Sequence, residues 1–247
     1  MILEMDAGNT RCKWRLRHGG ASMGAGVVEL DRNALHALDM GGAIERVVVG
    51  SVTSVSIEAL LTSWAYEQFN VKAEFVTVSA ECAGVKNGYQ HPEKLGVDRW
   101  LAILAAYNRY GASVVIDAGS ALTIDAVTGK GRHLGGWIIP GQHLMLDALR
   151  QRTSRVCFSD DRVAVTAPAF GCNTDEAVGG GIQSALLGAA MIGLAEAERE
   201  LGCDFVVVIT GGDGPQLYGQ VAKLWRNVQS EPDLVLDGLS LALPCVQ

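Results

Sequence analysis

Apolar and polar residues alternate with period two near the start of the chain. Between Arg11 and Arg17 (RCKWRLR) four cationic residues alternate with Cys12, Trp14 and Leu16, which is the pattern of a strand with one buried face. The apolar run MILEM precedes this strand, and the polar turn DAGNT joins the two. We therefore predict a β-hairpin whose cationic face is mostly solvated, with Lys13, close to the turn, as its best candidate for a binding role.

The same pattern returns in the second half of the chain. Residues 113–127 (SVVIDAGSALTIDAV) place an Asp-Ala-Gly triplet at 117–119 between two strand-like runs, as residues 6–8 do in the first copy. A three-residue match by itself is weak, but the strand–turn–strand context surrounds both copies. The repeat therefore indicates a duplicated domain.

Further periodic segments complete two similar halves. The β-branched runs at 46–52 (RVVVGSV) and 205–212 (FVVVITGG) are too short for helices and are typical of a sheet covered on both faces. Helical patterns lie between the strands, at 57–69, 98–110, 142–150 and 182–201. We predict an α/β protein of two domains, 1–111 and 112–247, each a mixed sheet flanked by helices, with a cleft between them.

Composition and charge narrow the class of protein. The chain has 247 residues, of which 49% are apolar and 19% charged, as in an ordinary globular protein. Its net charge of −7 argues against binding to nucleic acid or to an anionic membrane. The sequence shows no basic-then-apolar leader and no apolar run near the ~20 residues of a membrane span. We expect a cytoplasmic protein.

Cysteines and histidines carry no recognisable site. The six cysteines form no C-x-x-C pair, so we predict buried free thiols. No histidine accompanies a nucleophile motif such as G-x-S-x-G, and we interpret His91, His133 and His143 as structural or solvent-exposed. Neither residue type supports a zinc site.

Four glycine-containing elements are predicted to meet at the cleft. They are the two Asp-Ala-Gly turns, GGWIIPG (135–141) and TGGDG (210–214). Glycine lets backbone N–H groups approach a phosphate closely, although each element alone is a weak signal. The sequence has no G-x-x-x-x-G-K-[ST] motif and is not that of a P-loop protein.

The segment LGVDRW (95–100) has two interpretations. Asp98 stands where a loop meets a helical pattern, so it is either a helix N-cap or a general base that positions a hydroxyl group. In the first case Arg99 is an exposed residue of the first turn, and in the second it is an anion contact. Position alone leaves both open.

Taken together, these motifs resemble type III pantothenate kinase, in the acetate and sugar kinase/Hsp70/actin superfamily. The resemblance implies two duplicated RNase H-like (actin-like ATPase) domains. It also implies transfer of the γ-phosphoryl group of ATP to the 4′-hydroxyl of pantothenate, the first step of coenzyme A biosynthesis. The matching segments, in chain order, are DAGNTRCK (6–13), NGY (87–89), GVDRW (96–100), DAGSALT (117–123), GGWIIPG (135–141), NTDEAV (173–178), TGG (210–212) and PDLVLDGL (232–239).

The resemblance further implies roles for individual residues. Asp98 is the proton acceptor, Asp117 a ligand of a monovalent cation (K⁺ or NH₄⁺), and Ser120, where many members have Thr, a second ATP-phosphate contact. The first phosphate-binding element consists of Asp6, Ala7, Gly8, Asn9, Thr10, Arg11, Cys12 and Lys13. The pantothenate contacts are Tyr89, Gly96, Val97, Asp98, Arg99 and Thr174.

Phosphate and a carboxylate next to it repel each other unless a cation lies between them. Without a P-loop lysine, charge neutralisation falls to Mg²⁺, a monovalent cation, Lys13 and turn N–H groups. We therefore expect Asp6 to hold Mg²⁺, directly or through water. The resemblance also implies a homodimer, for which the apolar run WLAILAAY is a modest hint from the sequence itself.

Two other functions fit parts of the sequence. One is a kinase of the same superfamily with another small hydroxyl or carboxylate acceptor, against which NGY and GVDRW speak. The other is a nucleotide-binding regulator that has lost catalysis. The presence of both Asp98 and Asp117 and the acidic charge of the chain speak against the regulator.

Overall fold

The computed structural model describes residues 1–8, 11–153, 156, 158 and 170–242. The chain divides into two compact units. Unit 1 consists of Met1–Asn108 and the segment that begins at Asp233, and unit 2 of Arg109–Pro232.

The described residues form two five-stranded sheets, one two-stranded sheet and seven α-helices. The strands are β1 (Ile2–Ala7), β2 (Arg11–His18), β3 (Ala21–Glu29), β4 (Arg46–Ser51), β5 (Ala73–Phe75), β6 (Glu81–Cys82), β7 (Val85–Lys86), β8 (Ser113–Ala118), β9 (Ala121–Val127), β10 (His133–Pro140), β11 (Val206–Thr210) and β12 (Val228–Ser230). The helices are α1 (Arg32–His36), α2 (Val55–Phe69), α3 (Val97–Tyr110), α4 (Gln142–Arg152), α5 (Thr174–Leu201), α6 (Gly214–Val221) and α7 (Leu234–Ala242), with a 3₁₀ turn at Pro92–Lys94.

The two large sheets have the same topology. The order is β3-β2-β1-β4-β5 in unit 1 and β10-β9-β8-β11-β12 in unit 2. The first two strands of each sheet in chain order are antiparallel: β1 with β2, and β8 with β9. The central strand also pairs in parallel with the strand on its other side: β1 with β4, and β8 with β11. The duplicated domain that the Asp-Ala-Gly repeat predicted is confirmed, since β1–β2 and β8–β9 occupy equivalent places.

One face of the unit 1 sheet forms an apolar core, as the alternation in β2 predicted. Cys12 and Leu16 are buried there with Leu3 and Met5 of β1. Trp64 of α2 covers them and donates a hydrogen bond from Nε1 to the Leu35 carbonyl 3.0 Å away, which satisfies its polar atom inside the core.

The opposite face of this sheet is not the solvated face that the sequence predicted. Arg15 is only 9% exposed, and its guanidinium donates to Glu4 on β1 and to Asp237 on α7, at 2.7 Å and 2.6 Å. Burial lowers the pKa of Arg15, but the hydrogen bonds to Asp237 and Glu4 outweigh burial, so the pKa lies above its ordinary value. The cationic face is therefore largely covered and ion-paired.

Helix α7 covers this face and belongs to unit 1, because it packs on β1 and β4. The sequence had assigned all of 112–247 to one C-terminal domain. The chain instead returns to unit 1 at Asp233. The prediction of two contiguous domains missed this return, because the helix that covers the polar face of the sheet is far from that sheet in the sequence.

The apolar run at the start of α3 is also explained within unit 1. Trp100, Leu101, Ile103 and Leu104 are each at most 1% exposed in the single chain. The run therefore serves the core of its own subunit and gives no support for a subunit interface.

Helix α5 is the one helix among the described residues with the length and apolarity of a membrane span. The core helix of a soluble domain meets the same criteria, and Ala190, Leu194 and Ala197 of α5 pack in the unit 2 core with β8 and β9. The prediction that the chain has no long apolar run was wrong for this segment, which is rich in small residues and has no charged residue over several helical turns.

The cysteine and histidine predictions hold in part. Cys12 and Cys82 are buried free thiols, but Cys172 and Cys203 are exposed, and Cys157 and Cys245 lie outside the described residues. His133 is a structural residue, as predicted: it is 1% exposed and its Nε2 lies 2.9 Å from Asp125 Oδ1.

The close crossing of α7 and α3 gives a test of the fold. A Cβ on Gly238 would lie 2.6 Å from the carbonyl carbon of Leu101, which is a backbone atom that cannot turn aside. We expect Gly238→Ala to lower the free energy of unfolding by about 1–3 kcal/mol, measured by urea denaturation.

The matched control is Gly219→Ala in α6, where an added Cβ meets nothing within 4 Å. Relief of the glycine penalty in a helix should raise stability there by about 1 kcal/mol. Equal effects of the two substitutions would contradict the proposed crossing.

Candidate active site

The first Asp-Ala-Gly turn joins β1 to β2 in unit 1. Its backbone is closed by a hydrogen bond from the Gly8 N–H to the Arg11 carbonyl at 3.1 Å. Asp6 is the second-last residue of β1, just before this turn, and is partly exposed. Asn9 and Thr10, two of the predicted phosphate contacts, lie outside the described residues.

Lys13 lies opposite Asp6 in the antiparallel register, so the two side chains share one face of the sheet. The Lys13 ammonium is also 2.6 Å from Asp233 Oδ1, at the start of the α7 segment. The sequence had singled out Lys13 as a functional cation, and the structure adds a carboxylate partner that sequence reasoning missed.

Cys12 points to the other face and is fully buried. Burial and then the Asp6 carboxylate raise the pKa of the Cys12 thiol well above its ordinary value. The side chain therefore stays protonated and contributes packing, so only its backbone is available to a phosphate.

A compact polar cluster joins the NGY and GVDRW motifs in unit 1. Arg99 is 5% exposed, and its Nη1 donates to the Tyr89 hydroxyl at 2.7 Å. The guanidinium carbon also lies 5.5 Å from the centre of the Tyr89 ring. Arg99 is thus a buried, oriented cation rather than an exposed residue of the first helical turn.

Asn87 fixes the loop that carries Tyr89. Its side-chain oxygen accepts the Tyr89 N–H at 2.9 Å, and its own N–H donates to the Ala80 carbonyl at 2.9 Å. The asparagine of NGY therefore orients the aromatic residue two positions on, as an Asx turn does. The sequence analysis assigned a role in this motif to Tyr89 but none to Asn87.

Asp98 is not the N-cap of α3, because the helix already begins at Val97. Its carboxylate stays in the first turn, where Oδ1 accepts the Arg99 N–H at 2.7 Å and the side chain remains partly exposed. Gly96, one residue before the helix, accepts the Trp100 N–H at 3.0 Å. The carboxylate is thus held on a rigid element beside Arg99.

The second Asp-Ala-Gly turn lies in unit 2 between β8 and β9. The Ser120 carbonyl accepts the Gly141 N–H at 3.0 Å, and the Ala118 carbonyl accepts the Asp213 N–H at 2.8 Å. Three of the four glycine-containing elements are therefore joined by hydrogen bonds inside unit 2. The Ser120 residue itself is exposed.

Asp117 is the second-last residue of β8 and pairs in register with Thr210 of β11. Gly211 follows with φ +93°, and a Cβ there would collide with the Ala118 carbonyl and the Asp117 carboxylate. The TGG motif therefore needs this glycine both for its backbone angle and for the close approach of the Asp117 turn.

The two copies of the turn differ in length. In the register, Ala7 pairs with Cys12, whereas Ala118 pairs with Leu122. Four residues therefore separate the pair in the first copy and three in the second. Because of this extra residue, Thr123 in unit 2 takes the place that Lys13 has in unit 1. Lys13 lies opposite Asp6, and Thr123 lies opposite Asp117.

A pocket opens beside the unit 2 turns. It has about 320 Å³ of empty space, part of it open to solvent. Residues from the turn, α4, α5 and α6 line it, among them Gly119, Gly141, Gln183, Asp213 and Gln216. Backbone and side-chain amide groups thus face this space.

Thr174 is the first residue of α5 and is exposed. The Asn173 side chain caps this helix by accepting the Glu176 N–H at 2.9 Å, and Glu176 accepts the Cys172 N–H at 2.8 Å. This reciprocal cap starts the helix eight residues before the predicted Ile182, so NTDEAV forms the start of α5.

Within the described parts of the chain, no group of three or more His, Cys, Asp or Glu side chains is arranged to hold a metal ion. Asp6 and Asp117 are each the second-last residue of a strand. A site with fewer than three such side chains fits Mg²⁺ bound together with substrate phosphates and water, rather than an all-protein cage.

Comparison with known proteins agrees with these motifs. A family model described as type III pantothenate kinase matches residues 2–193. A type III pantothenate kinase of Pseudomonas fluorescens (strain Pf0-1) is 39% identical over 254 aligned positions, which cover 99% of each chain.

Solved structures share the fold at low identity. An ethanolamine utilization protein, EutJ, from Carboxydothermus hydrogenoformans has a TM-score of 0.57 at 13% identity, over 97% of this chain and 89% of that one. A ROK family glucokinase from Streptomyces griseus, solved with glucose and AMPPNP, has a TM-score of 0.52 at 12% identity, over 98% of each chain. The fold is that of the actin-like ATPases and sugar kinases. With the family model and the 39% identical relative, it follows that the chain belongs to the type III pantothenate kinase family.

Proposed function

We propose that Asp98 is the general base with which this chain phosphorylates pantothenate. The reaction itself follows from family membership: the chain is a kinase that uses ATP to phosphorylate pantothenate in coenzyme A biosynthesis. The observation that supports Asp98 is its partly exposed carboxylate on the rigid first turn of α3, next to the buried Arg99. No other carboxylate stands in the GVDRW motif.

In this mechanism the Asp98 carboxylate accepts a hydrogen bond from the 4′-hydroxyl of pantothenate. As the new bond forms between that oxygen and the γ-phosphorus, the bond from the γ-phosphorus to the bridging oxygen breaks and ADP leaves. Asp98 takes the hydroxyl proton late in this step, because the transition state is loose. Most of the catalysis is then positioning and neutralisation of charge on the phosphoryl oxygens.

Pantothenate is proposed to bind the cluster around Arg99. The buried guanidinium, oriented by Tyr89, offers fixed donors to a polar or anionic group of the substrate. Gly96 and Val97 line the same helix start, and Thr174 is a further contact from α5.

ATP phosphates are proposed to contact the Asp6–Lys13 segment and Ser120. Backbone N–H groups of the turns and the Lys13 ammonium supply positive charge. Asp6 would hold Mg²⁺ and Asp117 a monovalent cation, K⁺ or NH₄⁺. When bound, these ions neutralise phosphate charge next to two carboxylates that repel phosphate.

We also propose a cytoplasmic homodimer. The support from this chain is a set of exposed apolar side chains in unit 2: Ile138 on β10, Leu144 on α4 and Ile192 on α5 are 65%, 50% and 60% exposed. Exposed apolar surface on neighbouring elements favours association with a second copy.

The general-base role predicts a large loss of turnover in Asp98→Asn. The amide keeps the shape of the side chain and an oxygen for the Arg99 N–H but takes no proton. We expect kcat to fall by about 10²–10⁴ in an assay of pantothenate-dependent ADP release, with ATP binding nearly unchanged. Glu93→Gln is the control, because Glu93 is an exposed carboxylate on the preceding 3₁₀ turn. Wild-type kcat in the Asp98 variant would remove Asp98 from the mechanism.

The cation roles predict two separable defects. Asp6→Asn should raise the Mg²⁺ concentration needed for half-maximal rate by about 10-fold or more, since a ligand charge is lost. Asp117→Asn should abolish stimulation by K⁺ while leaving the Mg²⁺ dependence unchanged. Rates are measured in MgCl₂ series and in KCl series with NaCl to keep the ionic strength constant. Each variant is the control for the other, and identical defects in both would contradict the division of labour.

The dimer predicts a particle of twice the chain mass of 26.1 kDa in light scattering. Ile192→Asp should shift it towards the monomer, because a charge would be buried in an apolar contact. Val55→Asp is the control, since Val55 is 83% exposed on α2 of unit 1. A monomeric wild-type chain at micromolar concentration would overturn this proposal.

A further inference from the structure

Two acidic side chains at the start of α7 match two cationic side chains on β2. Asp233 Oδ1 lies 2.6 Å from Lys13 Nζ, and Asp237 Oδ1 lies 2.6 Å from Arg15 Nη1. The acids are four residues apart on a helical turn and the cations two apart on a strand, and both spacings are about 6–7 Å. The two ion pairs therefore form side by side, although more than 200 residues separate the partners along the chain.

The segment that carries Asp233 is held firmly in place. Its carbonyl accepts the Asp237 N–H at 2.9 Å, which continues the helical geometry of α7 back to Asp233. The next residue, Leu234, is fully buried, and Leu239 and Gly238 pack on the sheet and on Leu101 of α3. Asp237 is itself fixed by the buried Arg15. Asp233 thus presents its carboxylate from a rigid element.

We propose that Asp233 is a positioning residue that holds the Lys13 ammonium beside the Asp6–Gly8 turn, where it meets the phosphates of ATP. This inference rests on the proposed contact of Lys13 with ATP phosphate. It assigns a role to the PDLVLDGL motif, which the catalytic scheme leaves without one.

The chemistry of lysine makes such a partner useful. Lysine has a flexible four-carbon stem, and ordering it costs rotamer entropy equal to about 30-fold in affinity. An ammonium has three N–H donors, so a bond to Asp233 is compatible with contacts to other oxygens. A carboxylate at the start of a rigid helix orders the lysine side chain before ATP binds, so less rotamer entropy is lost when ATP binds.

The negative charge of Asp233 also acts in the opposite direction, since it repels phosphate. Its side chain is 44% exposed, so solvent and salt screen this repulsion. The sign of the effect on ATP therefore distinguishes the two roles. If Asp233 positions Lys13, removal of Asp233 weakens ATP binding. If Asp233 instead competes with phosphate for Lys13, its removal tightens ATP binding.

The test is a double-mutant cycle in the full-length enzyme. We expect Asp233→Ala to raise the KM for ATP by about 10-fold, with kcat and the KM for pantothenate changed by less than about 2-fold. Lys13→Ala should raise the KM for ATP at least as much. The double variant should match Lys13→Ala alone, because Asp233 acts through Lys13.

Asp233→Asn and Glu74→Ala complete the experiment. The amide oxygen of Asn accepts a bond from Lys13, so Asp233→Asn should restore part of the ATP affinity and guards against a folding defect in the Ala variant. Glu74 pairs with Arg46 in the same sheet at 2.6 Å, and the exposure of this pair is similar to that of Lys13 and Asp233. Glu74→Ala therefore removes a comparable ion pair away from the turn. It should leave the KM for ATP unchanged.

The outcomes separate this inference from the proposed function. An unchanged KM for ATP in Lys13→Ala would overturn the phosphate contact of Lys13 itself. A normal or lowered KM in Asp233→Ala, with a raised KM in Lys13→Ala, would overturn only the positioning role. Additive effects in the double variant would overturn it as well, because they would show that Asp233 acts independently of Lys13.

Discussion

The burial of the Arg15 guanidinium is the constraint on which much of unit 1 depends. A charged group taken out of water must be paired, and removal of one partner of a buried pair costs several kcal/mol. Glu4 supplies one partner from the neighbouring strand, and Asp237 supplies the other from α7. Helix α7 can therefore cover the polar face of the sheet because it brings Asp237 to pair with the guanidinium that it buries.

That return has consequences for the end of the sheet where we propose that ATP phosphates bind. Once Asp237 binds Arg15, the helical spacing brings Asp233 to Lys13, next to the turn that leads from β1 to β2. The apolar residues of α7 pack at the same time on β1, β4 and α3. The packing of α7 thus adds to the core of unit 1 and places the Asp233 carboxylate at the Lys13 ammonium, which lies opposite Asp6 in the strand register. Because the chain also has a net negative charge, these groups favour the binding of phosphate only when cations bind with it.

Duplication gave the protein two similar hairpins whose turns then diverged. Both sheets keep the same strand order, and both turns begin with an aspartate at the end of the central strand. The first turn is one residue longer and faces a lysine across the register, whereas the second faces Thr123 and lies against the glycine of TGG. A shared scaffold with different neighbours is the physical basis on which we propose different cations for the two aspartates.

Among the described residues, the sequence by itself determined six of the twelve strands and four of the seven α-helices, together with the duplication and the family, because period-two and period-3.6 patterns and ordered motifs are local properties. Local patterns also singled out Asp98 and Arg99, although they left Asp98 between an N-cap and a base, and a role for Tyr89 came only from the resemblance to the family. Only the tertiary structure decided that Arg15 is buried, that Arg99 is an oriented cation, and that the segment from Asp233 belongs to unit 1. Alternation shows that a strand has a polar face, but whether water or a distant helix covers that face depends on long-range packing, which no local pattern records.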